Sequence, residues 1–163
     1  MAKIGAATPA ITALVRAGVG HRVLAYRHDP SAGSFGAEAA RELATEGFSP
    51  EQIFKTLVIA TSDGLAVAVI PVSQQLSLKA AARALGVPKA EMADPAAAQR
   101  STGYLLGGIS PLGQRKPLRT VVDASALDWD LVACSAGKRG LDVALAPADL
   151  IAQTSAVTAR ITA

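Results

Sequence analysis

The chain has 163 residues, of which half are hydrophobic but only 4% aromatic, and its sixteen Lys and Arg exceed its thirteen Asp and Glu by three. This length suits a single domain over residues 1–163 that buries about two-thirds of its unfolded surface, and so few aromatic side chains argue against a base-stacking platform. A small positive charge permits a phosphate-binding surface without requiring one, so motifs must decide whether the chain contacts nucleic acid.

Cysteine and histidine are scarce, which limits the possible chemistry. Cys134 is the only cysteine, so an internal disulfide is excluded, and with only His21 and His28 available we expect no metal centre and no cofactor. The lone cysteine fits a reducing cytoplasm. Pro9 interrupts the apolar N-terminal stretch, which argues against a signal peptide, and the longest apolar run is far shorter than the roughly 20 residues that cross a bilayer. We therefore expect a cytoplasmic chain that does not contact membranes.

The N-terminal elements are predicted from caps, breakers and β-rich runs. Thr8 and Pro9 are typical of an N-cap and a first helical residue. The predicted elements are a helix to about Arg16, a strand over 22–27, a loop over 28–36 and a helix over about 37–45. Two β-rich runs, 54–61 and 65–70, then flank an Asp-Gly pair, which is a strong hairpin signal.

The second half mixes helices and strands without strict alternation. Gly86 is predicted to end an Ala-rich helix, and Asp94-Pro95 to begin another that runs to about Ser101. The Ala-rich helix spans 78–85. The remaining predicted elements are a glycine-rich loop over 103–113, strands at 121–122, 131–134 and 141–145, and a helix from Pro147. This order predicts an α+β fold around a mixed, largely antiparallel sheet.

Three features carry candidate chemistry. Lys55 begins a strand that is otherwise apolar or β-branched, where its ammonium either reaches water at the strand end or faces a pocket and binds a phosphate or an oxyanion. The loop over 104–113 contains paired glycines that allow backbone amides to approach a ligand, or it is an ordinary tight connection. In the segment 137–142, Lys138 and Arg139 lie between glycines that either cup a phosphate or form a solvated turn.

Familiar nucleophile and phosphate motifs are missing. The glycine-rich loop lacks the Lys and Ser/Thr of a P-loop, and no Ser lies between glycines in a nucleophile elbow. Cys134 has apolar neighbours that raise a thiol pKa, so a buried structural residue is the favoured interpretation. His21 and His28 are interpreted as surface residues.

Six blocks of the sequence carry a family resemblance. They are, in chain order, His28-Asp29-Pro30, Phe54-Lys55-Thr56-Leu57, Glu91-Met92-Ala93-Asp94-Pro95, the segment 99–104, the segment 107–113 and Gly137-Lys138-Arg139-Gly140-Leu141-Asp142. Together and in this order they resemble the YbaK family, a group of free-standing relatives of the editing domain of bacterial prolyl-tRNA synthetases. The resemblance extends from about Tyr26 to Asp149. It implies an α+β fold with a barrel-like sheet and flanking helices.

The resemblance also implies a function and a site. Its YbaK branch hydrolyses Cys-tRNA(Pro), so the implied activity is trans-editing aminoacyl-tRNA deacylation, with prolyl-tRNA synthetase as a further partner and the substrate thiol attacking its own ester. Lys55 matches the family's functional lysine. The implied substrate-binding residues are Tyr26, Thr56, Gly107, Gly108, Ile109, Ser110, Pro111 and Asp142. Phe54 stands where tyrosine is common in the family, and Ala136 where glycine is common.

Two other functions fit the same motifs. The first keeps the enzyme but changes its substrate to Ala-tRNA(Pro) or another small aminoacyl-tRNA. The second is a noncatalytic module that binds tRNA or a synthetase. Measuring the deacylation of several aminoacyl-tRNAs distinguishes the first alternative from Cys-tRNA(Pro) editing. Catalytic turnover of any of them excludes the noncatalytic module.

Overall fold

The computed structural model describes residues 8–27 and 35–163. Within these ranges the chain forms five α-helices and eight strands. The helices are α1 Pro9–Arg16, α2 Phe35–Leu43, α3 Leu78–Leu85, α4 Pro95–Thr102 and α5 Pro147–Thr154. The strands are β1 His21–Ala25, β2 Phe54–Thr61, β3 Gly64–Pro71, β4 Ala90–Met92, β5 Arg119–Asp123, β6 Val132–Lys138, β7 Leu141–Leu145 and β8 Val157–Ala159. The predicted loop residues 28–34, which include His28, lie outside the described residues.

The helix ends follow the capping residues that the sequence offers. Thr8 Oγ1 accepts a hydrogen bond from the Ile11 N–H at 3.2 Å, and Asp94 Oδ2 accepts one from the Ala97 N–H at 3.1 Å. These bonds satisfy backbone donors that a first helical turn leaves unpaired. Gly86 ends α3 in the left-handed region with φ of 72°. The predicted starts of α1 and α4 and the predicted end of α3 are therefore confirmed.

The strands form two sheets. The three-stranded sheet is antiparallel with the order β1-β7-β6, and the five-stranded sheet is mixed with the order β4-β2-β3-β5-β8. In the second sheet β5 runs parallel to both β3 and β8. A single parallel bridge between Ile53 and Ala133 links the two sheets. The predicted α+β class is confirmed, and the described strands form two linked sheets without closing into one barrel.

The predicted hairpin is present as β2 and β3. Its register runs from Thr61 opposite Gly64 to Phe54 opposite Pro71, so Ser62 and Asp63 form the connection. Gly64 begins β3 with φ of 109°, a conformation that favours glycine. The turn thus lies one residue earlier than the Asp63-Gly64 pair suggests.

Successive residues of β3 pack into different cores. Val67 and Val69 belong to the core shared with the three-stranded sheet, whereas Ala68 and Ile70 belong to the core beneath α3. Because Lys55 lies opposite Ile70 and Thr56 opposite Val69, these two site candidates begin on opposite faces of β2.

Some strand boundaries differ from the prediction. The strand β6 continues to Lys138, past the predicted end at Cys134, with a pairing irregularity between Ser135 and Lys138. Two short strands, β4 and β8, were not predicted. None of the described helices has the length and apolar character required to traverse a membrane.

Candidate functional site

A cavity of about 460 Å³ lies where the start of β2, the loop after α4 and the β6–β7 hairpin meet. This volume falls within the range of small-ligand sites, about 300–1,000 Å³. Apolar side chains such as Leu57, Leu106 and Ile109 make up much of its wall. Its polar side chains are Tyr26, Lys55, Thr56, Ser135, Lys138 and Asp142.

The start of β2 supplies one wall. Residues 54–57 all line the cavity, including residues from both faces of the strand. The strand pairs with β3 along its full length but with β4 only at residues 59–61, so its other edge faces the cavity at residues 54–57. Lys55 is half-buried there. This position agrees with a cationic side chain that faces a pocket.

Thr56 brings an unsatisfied hydroxyl to the same wall. Its Oγ1 is buried and has no hydrogen-bond partner among the described residues. A buried hydroxyl without a partner costs about 1–3 kcal/mol, so folded proteins usually pair such groups. The hydroxyl is therefore available to a ligand inside the cavity.

Asp142 is the buried carboxyl group of the site. It lies in β7, the central strand of its sheet, opposite Leu24 of β1 and Ser135 of β6, and is 5% exposed. Burial raises the pKa of this carboxyl to about 7, because removal from water disfavours the charged form. Near neutral pH the group is thus divided between its neutral and ionised forms.

Tyr26 lies beside Asp142. Its backbone N–H donates to the Gly140 carbonyl at 2.8 Å, which continues the β1–β7 pairing by one residue. Burial, followed by the negative charge of Asp142, raises the pKa of the Tyr26 phenol well above its usual range. The phenol consequently stays protonated and can donate a hydrogen bond to a ligand.

The glycine-rich loop contributes only some of its predicted residues. Gly107 and Ile109 line the cavity, as does Leu106, which was not predicted. Gly108, Ser110 and Pro111 are not among the lining residues, and Pro111 borders a separate groove. Of the five predicted loop residues, two thus line this cavity, and substrate binding by the other three stays a prediction.

Gly108 and Ser110 instead hold the loop in place. A Cβ at position 108 would lie 2.7 Å from Lys138 Cα, so this backbone packs directly on β6. Ser110 is fully buried, and its Oγ accepts a hydrogen bond from the Leu112 N–H at 3.1 Å. Both residues thus support the cavity wall without lining the cavity.

The β6–β7 hairpin adds two lining residues, which are Lys138, a candidate phosphate-binding cation from its motif, and Ser135, which was not predicted. Lys138 lines the cavity, whereas Arg139 is not among its lining residues. Ser135 lies directly across from Asp142. Ser135 was missed because the predicted strand ended at Cys134. Extending that strand by one residue places Ser135 opposite Asp142 in the β6–β7 register.

Cys134 does not contribute to the cavity. It is fully buried in the core between the sheets, where burial raises the pKa of its thiol well above the usual range. His21 is half-buried rather than at the surface, with Nδ1 2.8 Å from the Val19 carbonyl oxygen. In the described part of the chain, His, Cys, Asp and Glu form no group of three or more that could hold a metal ion.

Comparison with known proteins identifies the class. Residues 35–152 match the family model described as "Aminoacyl-tRNA editing domain". Because this match covers well over half of the chain, the protein belongs to the aminoacyl-tRNA editing domain family. The resemblance to the free-standing editing relatives is thereby confirmed.

Individual relatives and solved structures are similar to this chain over most of its length. One Enterococcus faecalis protein, described as "Putative Cys-tRNA(Pro)/Cys-tRNA(Cys) deacylase EbsC", is 40% identical over 117 residues, which cover 71% of each chain. A crystal structure described as "a putative trans-editing enzyme for prolyl tRNA synthetase" is 25% identical, with a TM-score of 0.83 and 99% of each chain covered. A scaffold protein used for computational epitope grafting shares the fold, with a TM-score of 0.84 at 26% identity and 99% of each chain covered.

Proposed function

We propose that this protein is a trans-editing deacylase that hydrolyses Cys-tRNA(Pro), and also Cys-tRNA(Cys). The observation that carries this proposal is a cavity of about 460 Å³ with a half-buried Lys55 and a Thr56 hydroxyl that has no partner among the described residues, in a chain 40% identical to a protein described as such a deacylase. We further propose that residues 1–163 act as one deacylase domain in the cytoplasm, where aminoacyl-tRNA is made.

The proposed reaction requires no protein nucleophile. An aminoacyl ester is already activated, so orientation and donors to the developing oxyanion can supply most of the catalysis. The buried thiol of Cys134 is not expected to attack the ester, because its raised pKa keeps it protonated. This agrees with the absence of a nucleophile elbow from the sequence.

We propose that the thiol of the bound cysteine attacks its own ester carbonyl. The sulfur–carbon bond forms as the ester carbon–oxygen bond breaks, and the thiol proton ends on the ribose oxygen. The products are free tRNA and a cysteine thiolactone, which water then hydrolyses. Ring closure makes this step a lyase-type reaction, whereas the complete cycle is hydrolysis of a carboxylic ester.

The cavity residues supply complementary groups for this reaction. Lys55 is proposed to hold the phosphate of the terminal adenosine or to stabilise the oxyanion. The Thr56 hydroxyl, to which no described residue is hydrogen-bonded, is proposed as a donor for the same oxyanion. The Asp142 carboxylate is proposed to receive the ammonium group of the aminoacyl ester, which offsets the cost of burying that charge.

A deacylation panel tests the substrate. Cys-tRNA(Pro) is expected to be hydrolysed far faster than Ser-tRNA(Pro) or Ala-tRNA(Pro), since neither carries a thiol that can cyclise. Equal turnover of all three would contradict thiol assistance. Preference for Ala-tRNA(Pro) would support the alternative substrate, and binding without turnover of any ester would support a noncatalytic module.

Lys55→Ala tests the site. Loss of its ammonium is expected to cost on the order of 3 kcal/mol, or more than a hundredfold in kcat/KM, measured by single-turnover deacylation. Lys55→Arg is also expected to be impaired, because a planar guanidinium does not replace a compact ammonium in a shaped pocket.

Lys79→Ala is the matched control for this experiment. It removes an exposed lysine on α3, which does not line the cavity. Thermal melting of both alanine variants separates loss of activity from loss of folding. Full activity in well-folded Lys55→Ala would remove Lys55 from the proposed mechanism, and the lysine would then be an ordinary strand-end residue.

A further inference from the structure

A run of exposed cations extends away from the cavity mouth along the loop after α4. Residues 95–122 contain four Lys or Arg and no Asp or Glu, although the whole chain carries thirteen acidic residues. All four are exposed, and three of them, Arg100, Arg115 and Lys116, lie near the end of α4. Exposed cations grouped in this way are suited to a polyanion, although the exposed Asp63 lines the same groove as Lys116 and Arg119.

Backbone hydrogen bonds bring these three cations to one place. Arg115 N–H donates to the Thr102 carbonyl at 2.9 Å, and Lys116 N–H donates to the Ser101 carbonyl at 3.1 Å. Both bonds end within two residues of Arg100. We call Arg100, Arg115 and Lys116 the α4 cation cluster.

The cluster is continuous with the mouth of the cavity. Gln99, the neighbour of Arg100, accepts a hydrogen bond at its Oε1 from the Leu106 N–H at 2.9 Å. Leu106 lines the cavity, and the adjacent Leu105 is 76% exposed. A ligand that leaves the cavity past Leu106 therefore passes α4 beside Gln99, the residue that precedes Arg100.

We propose that the α4 cation cluster binds the phosphate backbone of the tRNA acceptor strand, with Leu105 contacting the terminal nucleotides. This proposal rests on the proposed function, which places the aminoacyl ester in the cavity and so requires the attached nucleotides to cross its mouth. Phosphate contacts of this type position a nucleic acid without reading its sequence. The surface consequently binds acceptor ends of different tRNAs alike.

The test compares two triple variants of the full-length chain. Arg100→Gln/Arg115→Gln/Lys116→Gln removes the cluster. Lys79→Gln/Arg83→Gln/Arg160→Gln removes the same charge from exposed cations on α3 and after β8, and none of these borders the cavity. Thermal melting checks that both variants fold, which is expected because every substituted side chain is exposed.

Binding of uncharged tRNA is measured by fluorescence anisotropy across a salt titration. The cluster variant is expected to bind at least tenfold more weakly near 150 mM salt, and its log–log salt slope to fall by about 3, because each lost phosphate contact contributes roughly 0.9. The control variant is expected to keep the greater part of its affinity. Equal affinity and equal slope in the cluster variant and the unsubstituted protein would overturn the proposal.

Turnover separates this proposal from the proposed function. The cluster variant is expected to lose kcat/KM on Cys-tRNA(Pro) through KM, yet to hydrolyse a cysteinyl ester of adenosine at the unsubstituted rate. If tRNA binding depends on the cluster but neither ester is hydrolysed, the proposed tRNA-binding surface is supported and the proposed deacylase activity is refuted. Hydrolysis of Cys-tRNA(Pro) that is unaffected by loss of the cluster would uphold the deacylase and refute the docking surface.

Discussion

Replacing Asp142 with asparagine is expected to change how the stability of the protein depends on pH. The carboxyl is 5% exposed, and its burial raises its pKa from 3.8 to about 7. Because the folded pKa lies above the unfolded one, the folded state binds this proton more tightly. The stabilisation from the proton is complete below about pH 4 and is lost as the pH rises to about 7.

This rise in the pKa of Asp142 predicts that the free energy of unfolding falls by on the order of 4 kcal/mol between pH 4 and pH 8, since each pKa unit corresponds to about 1.36 kcal/mol. Asparagine has nearly the same shape but cannot ionise, so Asp142→Asn removes this contribution. Urea denaturation at each pH gives the free energy of unfolding for both proteins. Their difference isolates Asp142 because the other titrating groups are common to both.

Asp63→Asn provides the control, since Asp63 is an exposed carboxyl in the β2–β3 turn. The free energies of unfolding of Asp142→Asn and the unsubstituted protein are compared from pH 4 to pH 8. If their difference stays constant to within about 0.5 kcal/mol, the argument is refuted. Such a result would mean that solvent or an opposite charge stabilises the Asp142 carboxylate. The proposal that this group receives the substrate ammonium in a desolvated site would then fail as well.

Three further outcomes are expected. Cys134→Ala should leave single-turnover deacylation nearly unchanged because the thiol is buried and protonated, and a loss above about a hundredfold in a folded variant would indicate a protein thiol mechanism. Gly108→Ala should lower activity because its Cβ would lie 2.7 Å from Lys138 Cα. Gly20→Ala should be tolerated, because no described residue other than its chain neighbours lies within 4 Å of a Cβ added there. Equal activities of the two variants would refute the packing argument. The isolated protein should hydrolyse Cys-tRNA(Cys) and Cys-tRNA(Pro) at similar rates, and discrimination that appears only when prolyl-tRNA synthetase is added would indicate that the synthetase supplies tRNA selection.

The fold was most predictable where local signals agree. The bounds of β2, α3 and β7 match the predictions because each has a clear hydrophobic pattern, and a Gly or an Asp-Gly pair marks a boundary. In contrast, β4 and β8 have three residues each and exist through pairing with β2 and β5. Such short edge strands leave no periodicity in the sequence, since tertiary contacts decide whether they form.

The site was predictable through motifs rather than through local structure. Lys55, Thr56 and Tyr26 were identified from the family resemblance, and the structure places all three at one cavity. Hydrophobic patterning alone could not place Lys55 and Thr56 at one site, because alternation assigns them to opposite faces of β2. Their common location depends on the edge of β2 at residues 54–57, which pairs with no described strand, and this is a property of the sheet and not of the segment.

Ser135 and Leu106 escaped prediction for different reasons. Ser135 was hidden because the predicted strand ended at Cys134, whereas the regular pairing of β6 continues to Ser135 and, after a bulge, to Lys138. Leu106 has no distinctive residue type, and its hydrogen bond to Gln99 depends on how the loop folds back onto α4.

The contact between Gly108 and Lys138 makes two distant parts of the sequence depend on each other. No room for a Cβ exists between these backbones, so any side chain at position 108 must displace the hairpin that carries Lys138, or the loop that carries Gly107. The glycine-rich loop and the Gly137-to-Asp142 segment therefore form one steric unit, although thirty residues separate the contacting positions. In engineering terms the two segments are a single module, which must be transplanted or redesigned together if the cavity is to keep its shape.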